Sequence, residues 1–208
     1  MPVSWKRRLG AMLQGWGLVG VVYSLGRAAW RESFVLDEGL IDRWIGFEPA
    51  AIWLYLSFFA FVPVAYFCAP LQRIGRLKRS MQLSALLCAP VFLLWPTTLV
   101  YPAIPEGGLS AQALQMLAAV DSRENCLPSL HGALTVICAL VLWDRHRPWK
   151  SAALALWGLA ILWSVVAARR HLFIDLGAGV AIGLACHGLL ARYGAAWPRL
   201  MRFQERKP

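Results

Sequence analysis

At 208 residues, 59% hydrophobic and 15% charged, the chain is too apolar for an ordinary soluble domain. Its net charge of +10 is divided among short segments rather than gathered on one face, which argues against nucleic acid as a partner. The pattern predicts an all-α polytopic membrane protein, a single integral domain over 1–208 with six transmembrane helices in one bundle.

A membrane-crossing helix needs about 17–25 mostly apolar residues. Six stretches approach this: 9–26, 50–71, 81–101, 127–143, 151–168 and 172–191. Lys6, Arg7 and Arg8 before the first stretch give it the form of a signal peptide, but no small-x-small cleavage site follows, and a retained helix is expected. Gly15-Trp16-Gly17-Leu18-Val19-Gly20 has the spacing of a dinucleotide fingerprint. No strand precedes it and it lies in an apolar span, so it is read as helix. Residues 27–49 mix charges with Trp30, Phe34, Trp44 and Phe47 and are expected to lie along the outer membrane interface. Arg73, Arg76, Lys78 and Arg79 separate the second stretch from the third, which Pro90 and Pro96 are expected to kink. Pro102, Pro105, Gly107 and Gly108 open an external loop, and 110–120 reads as a short amphipathic helix. Asn125 is placed to cap the fourth helix and Pro128 to sit in its first turn. Gly179 and Gly183 in the sixth stretch read as a close-packing face.

Most of the 21 basic residues fall on one side: before the first stretch, in the connections carrying Arg73–Arg79 and Arg145–Lys150, and in the tail from Arg192 to Lys207. The positive-inside rule then places both termini in the cytoplasm and the larger connections outside. These charges also suit contact with anionic membrane lipids. Cys68, Cys88, Cys138 and Cys186 lie in apolar stretches and read as small core residues, while Cys126 is expected to face outside; no paired spacing suggests a disulfide or zinc site. Compactness suggests a bacterial inner membrane, with the site facing the periplasm or exterior.

Two polar islands interrupt the apolar chain: Pro128-Ser129-Leu130-His131, and Ser164 through Arg169-Arg170-His171 to Asp175. Polar groups at membrane depth are costly and usually functional. The orientation argument brings both islands to the same external depth. His171 and Asp175, four apart, share a helical face. A carboxylate on one ring nitrogen fixes the tautomer and supports positive charge, which suits His171 as a nucleophile toward phosphorus. His131 is then placed to protonate the leaving oxygen and later to activate water. The N–H groups at Ser129 and Leu130 form an anion site at a helix start, and Arg123, Arg169 and Arg170 are the nearby external cations for phosphoryl oxygens.

Ser164-x6-His171-x3-Asp175, together with Pro128-Ser129-Leu130-His131, resembles the type 2 phosphatidic acid phosphatase superfamily. The form Asn125-x-x-Pro128-Ser129-Leu130-His131 is similar to its inositol-phosphorylceramide synthase-like branch. The resemblance covers about 50–190. It implies a phosphohistidine on His171, assistance from Asp175, acid–base work by His131, and no metal or other cofactor. The family's Lys-x6-Arg-Pro motif is missing, and Val165 stands where an arginine commonly follows the serine. Arg169, one helical turn further on, is expected to substitute.

The leading reading is therefore a lipid phosphate phosphatase acting on a phosphomonoester or pyrophosphate. Its rival is a membrane phosphotransferase that moves a phosphorylated head group onto a lipid acceptor. Two histidines and a carboxylate are also a possible divalent-metal set, which chelation tests. A non-enzymatic transporter or lipid-binding protein would keep its function when His171 is replaced. His146 and His187 are read as structural.

Overall fold

The computed structural model describes residues 2–26 and 32–193, with side chains from Trp5 onward. Residues 27–31 of the interfacial segment, Trp30 included, and the basic residues Arg199, Arg202, Arg206 and Lys207 lie outside the described residues. In chain order the elements are α1 (Pro2–Gly26), β1 (Phe34–Leu36), α2 (Leu40–Ile45), a 3-10 turn (Pro49–Ala51), α3 (Ile52–Leu56), α4 (Phe58–Cys68), α5 (Leu71–Leu94), β2 (Thr97–Leu99), α6 (Leu109–Val120), α7 (Leu130–Leu142), α8 (Pro148–Ala167) and α9 (Phe173–Tyr193).

Among the described residues, five helical stretches are long and apolar enough to cross a membrane: α1 from Trp5, the Pro49–Cys68 run, α5, α8 and α9. The fourth expected span, α7, has 13 residues. At about 1.5 Å per residue it extends roughly 20 Å, short of a hydrocarbon core of about 30 Å. It lies at the centre of the bundle, with Leu134, Ile137, Cys138 and Val141 all buried. A helix enclosed by other helices has its apolar surface covered by protein and need not match the lipid.

The third span also departs from expectation. α5 starts at Leu71 and ends at Leu94, so Arg73, Arg76, Lys78 and Arg79 ride on its first turns instead of filling a loop. Arginine and lysine are good helix formers, and hydropathy alone undercounts a helix that begins with them. Pro90 lies inside α5; Pro96 falls just beyond its end, where it cannot continue the helix. Arg73 Nη1 donates to the carbonyls of Val141 (3.0 Å) and Trp143 (2.6 Å) at the end of α7. Arg8 Nη1 does the same for Tyr66 (2.7 Å) and Ala69 (2.8 Å) at the end of α4. Orphan carbonyls at a helix C-terminus carry partial negative charge, so these cations stabilise both ends.

α7 and α9 pack face to face through small residues. A Cβ on Gly183 would stand 2.6 Å from the Ala133 carbonyl oxygen, and one on Gly179 would overlap the Ser129 carbonyl. The Gly179–Gly183 pair thus serves close helix packing. In the second stretch, Ser57 sits between α3 and α4, donating to the Leu54 carbonyl (2.6 Å) and accepting from Trp157 Nε1 of α8 (2.9 Å).

The sequence did not suggest strands, yet β1 and β2 pair in parallel, with Phe34 opposite Thr97 and Leu36 opposite Leu99. Thr97 accepts from the Cys126 N–H through its carbonyl (3.2 Å) and from the Leu127 N–H through its Oγ1 (2.8 Å). This small sheet anchors the loop that leads into α7. Asp42, nearly buried in α2, accepts from the Phe173 N–H at the start of α9 (2.7 Å). The segment between α1 and α3 therefore clamps the helix that carries Asp175.

Candidate active site

The turn between α8 and α9 is wound tightly: the Arg170 and His171 N–H groups both donate to the Val165 carbonyl (3.1 and 3.2 Å). It sets His171 one position ahead of Leu172, just before α9, with Asp175 in the first turn of that helix. Both side chains are buried. His171 Nδ1 lies 2.9 Å from Asp175 Oδ2 and 2.9 Å from the Cys126 carbonyl oxygen. A carbonyl only accepts, so the proton sits on Nδ1, shared between two acceptors. Nε2 is left with its lone pair and makes no hydrogen bond among the described residues. The structure brings His171 and Asp175 together as their spacing predicts.

His131 stands in the first turn of α7, its ring 5.5 Å from that of His171. Its Nε2 lies 3.0 Å from the Tyr55 hydroxyl, and the ring packs against Tyr55 and Phe58 at 4.9 and 4.7 Å. His131 Nδ1 and Asp175 Oδ1 are buried without a hydrogen-bond partner among the described residues. The two islands are joined through backbone: the Ser129 N–H donates to the Asp175 carbonyl (2.9 Å).

That bond revises the reading of the helix start. Ser129 is the N-cap of α7, its Oγ accepting from the Gly132 N–H (3.2 Å), so its own N–H is not free for an anion. The N–H groups of Leu130 and His131 have no backbone partner among the described residues. Pro128 precedes the cap, and Asn125 donates to the Tyr23 carbonyl (2.7 Å) instead of capping α7. Cys126 is buried, 2% exposed.

The three arginines part company. Arg169 takes a left-handed backbone (φ 50°) that turns it toward the segment between α1 and α3, where Nε meets Glu38 Oε1 (2.9 Å) and Nη2 donates to the Asp42 carbonyl (2.8 Å). It is not brought to the histidines, so the expected stand-in for the missing family arginine is spent on holding the fold. Arg170 instead pairs with Asp121 Oδ2 through Nε (3.2 Å) and Nη2 (2.6 Å) and lies 5.0 Å over the Tyr101 ring. Arg123 is exposed and lies 5.5 Å over the same ring. Sequence reasoning missed Tyr23, Tyr55 and Asp121. A carboxylate in the loop just ahead of the first island was the one available signal.

An apolar cavity of about 250 Å³ opens between α1, α4, α6 and α7. Trp16, Val19, Gly20, Phe58, Leu130 and Leu134 line it, and Tyr23, Tyr55, Asp121 and His131 form its polar end.

The ligand-type atoms of Cys126, His171 and Asp175 lie within 4.8 Å of one another. They fit a metal poorly. Burial and the nearby Asp175 charge push the Cys126 thiol up to about 12, and His171 Nδ1, the nitrogen that faces Asp175 and the Cys126 carbonyl, already shares its proton with them. A metal would have to displace that proton and abandon Nε2.

A family model described as PAP2 superfamily matches residues 25–189. The chain belongs to this superfamily. No curated protein and no solved structure matches it significantly.

Proposed function

We propose, from membership of the PAP2 superfamily and from the pairing of the two histidines, that the chain is an integral membrane phosphatase of lipid phosphates or pyrophosphates. The observation that carries this reading is the forced tautomer of His171, with Nδ1–H held by Asp175 and the Cys126 carbonyl and a free lone pair on Nε2. Nε2 attacks phosphorus, the bond from phosphorus to the lipid oxygen breaks, and His131 gives that oxygen a proton. The Asp175 carboxylate stabilises the positive ring of the phosphohistidine. His131, now neutral, takes a proton from water as the water oxygen attacks phosphorus, and phosphate leaves with the His171 lone pair restored.

The free N–H groups of Leu130 and His131, the Ser129 hydroxyl, Arg170 and the outlying Arg123 are assigned to the phosphoryl oxygens. The lipid tail is assigned to the apolar cavity, whose polar end is His131. α7 with its flanking loops completes a sixth crossing, the termini are cytoplasmic, and the site faces the exterior of a bacterial inner membrane. The Asn-x-x-Pro-Ser-Leu-His form from Asn125 to His131 favours one second reading, transfer of a phosphorylated head group to a lipid hydroxyl in place of water.

Phosphate release from a panel of lipid phosphates in detergent, with EDTA present, tests the proposal. Wild type should release phosphate and His171→Ala should not. Equal release by both would refute His171 as nucleophile, and no phosphate release, with the phosphorylated head group instead appearing on an added lipid hydroxyl, would favour the transferase.

A further inference from the structure

One largely buried carboxylate has no part in the chemistry above. Asp121 follows the last residue of α6, and its side chain is 10% exposed. Both of its oxygens are doubly engaged. Oδ1 takes the Tyr23 hydroxyl proton and the Ser122 N–H (3.0 Å), and Oδ2 takes Nε and Nη2 of Arg170 (3.2 and 2.6 Å). A carboxylate so saturated has no lone pair left for a substrate hydroxyl or a proton in transit.

Arg170 is held on two sides. One face of its guanidinium lies 5.0 Å from the centre of the Tyr101 ring. Its Nε–Nη2 edge is given to a single oxygen of Asp121. The Tyr55 hydroxyl stands within hydrogen-bonding reach of the guanidinium, and no second carboxylate or carbonyl takes the Nη1–Nη2 edge among the described residues. A guanidinium grips phosphate through such an edge. Arg170 also neighbours His171 in sequence and stands close enough for its charge to act on His131. Burial opposes the charge on Asp121, yet the Arg170 guanidinium and the Tyr23 hydroxyl hold its carboxyl below the ordinary range.

We propose that Asp121, steadied by Tyr23, is a positioning residue that fixes Arg170 by one edge and aims its other edge at the phosphoryl group. This rests on the phosphatase reading above. The geometry disfavours the opposite role, a resident anion that substrate must displace, because Asp121 takes the side edge of the arginine and is itself gripped by two donors from elsewhere.

The test uses full-length protein in detergent and vanadate, a mimic of the pentacoordinate phosphoryl group, read by the shift in melting temperature and by inhibition of phosphate release. Wild type should bind vanadate; Arg170→Lys should bind it about tenfold or more weakly, because lysine lacks the fork. Asp121→Asn should weaken binding by about tenfold and Tyr23→Phe by less, and neither should add to the loss in Arg170→Lys, since both act through that arginine. Vanadate binding by Asp121→Asn as tight as wild type or tighter would overturn the proposal, as would a loss additive with Arg170→Lys. Should Asp121→Asn fail to fold, Tyr23→Phe carries the same coupling test. A wild type that neither binds vanadate nor releases phosphate would sink the phosphatase reading itself, and with it any target for Arg170.

Discussion

Replacing Asp175 by asparagine removes a charge beside His171 without removing the group that sets its tautomer. The Cys126 carbonyl, 2.9 Å from Nδ1, would still accept the ring proton, so Nε2 would keep its lone pair. What is lost is the charge-assisted character of the bond from Nδ1 to Asp175 Oδ2, also 2.9 Å and fully buried. Hydrogen bonds to charged groups contribute about 1.5–3 kcal/mol. At about 1.36 kcal/mol per tenfold, kcat should fall by about 10- to 150-fold. In a serine-protease triad the same change leaves the wrong tautomer and costs about 10⁴. Single-turnover phosphate release by Asp175→Asn, beside wild type and Asp175→Ala, measures the difference. A loss near 10⁴ for the asparagine variant would refute the argument, showing that the carbonyl does not hold the tautomer. Unchanged turnover would refute any electrostatic role for Asp175.

Tyr55→Phe deletes the hydroxyl at 3.0 Å from His131 Nε2 while keeping the ring contact, so kcat should fall about 3- to 10-fold with KM nearly constant, read by steady-state kinetics. Gly179→Ala drives a methyl into the Ser129 carbonyl and should destabilise by about 1–3 kcal/mol. The melting temperature should then drop by about 2–12 °C, whereas Gly177→Ala on the same helix, with open space at its Cβ, should leave it in place. Gly20→Leu projects into a cavity-lining position with nothing within 4 Å of its Cβ; KM should rise several-fold for long-tailed lipid phosphates and hold for a short soluble phosphate ester. Equal effects on both substrates would dissociate that cavity from the tail.

The parts legible in the sequence were those governed by local rules. Apolar runs marked the helices, and the four-residue spacing of His171 and Asp175 pointed to their contact, although His171 itself lies in the turn ahead of α9. Misread boundaries came from residues that serve two masters: Arg73 and Arg76 look like loop charges by hydropathy but are good helix formers. Pairing between distant elements carries no local signature. Nothing in the neighbourhood of Tyr23, Tyr55 or Asp121 says that α1, α3 and the end of α6 meet at His131. The parallel β1–β2 pair is of the same kind, a short match between segments that lie on either side of four α-helices.

The arginines show the limit most clearly. Helical periodicity put Arg169 one turn beyond Val165 on the same face, a sound argument had α8 continued. α8 ends at Ala167, and the left-handed backbone at Arg169 reverses its side chain toward Glu38 and Asp42. The next residue inherits the inward direction, so two adjacent guanidinium groups are sent to opposite tasks. Arg169 binds the segment that also caps α9 through Asp42, and Arg170 joins Asp121 beside the histidines. Exchanging those tasks would require moving the end of α8 by one residue, which would also break the bonds from the Arg170 and His171 N–H groups to Val165 that seat the nucleophile. The position of His171 and the choice of Arg170 over Arg169 are therefore one structural decision, made by where a helix stops.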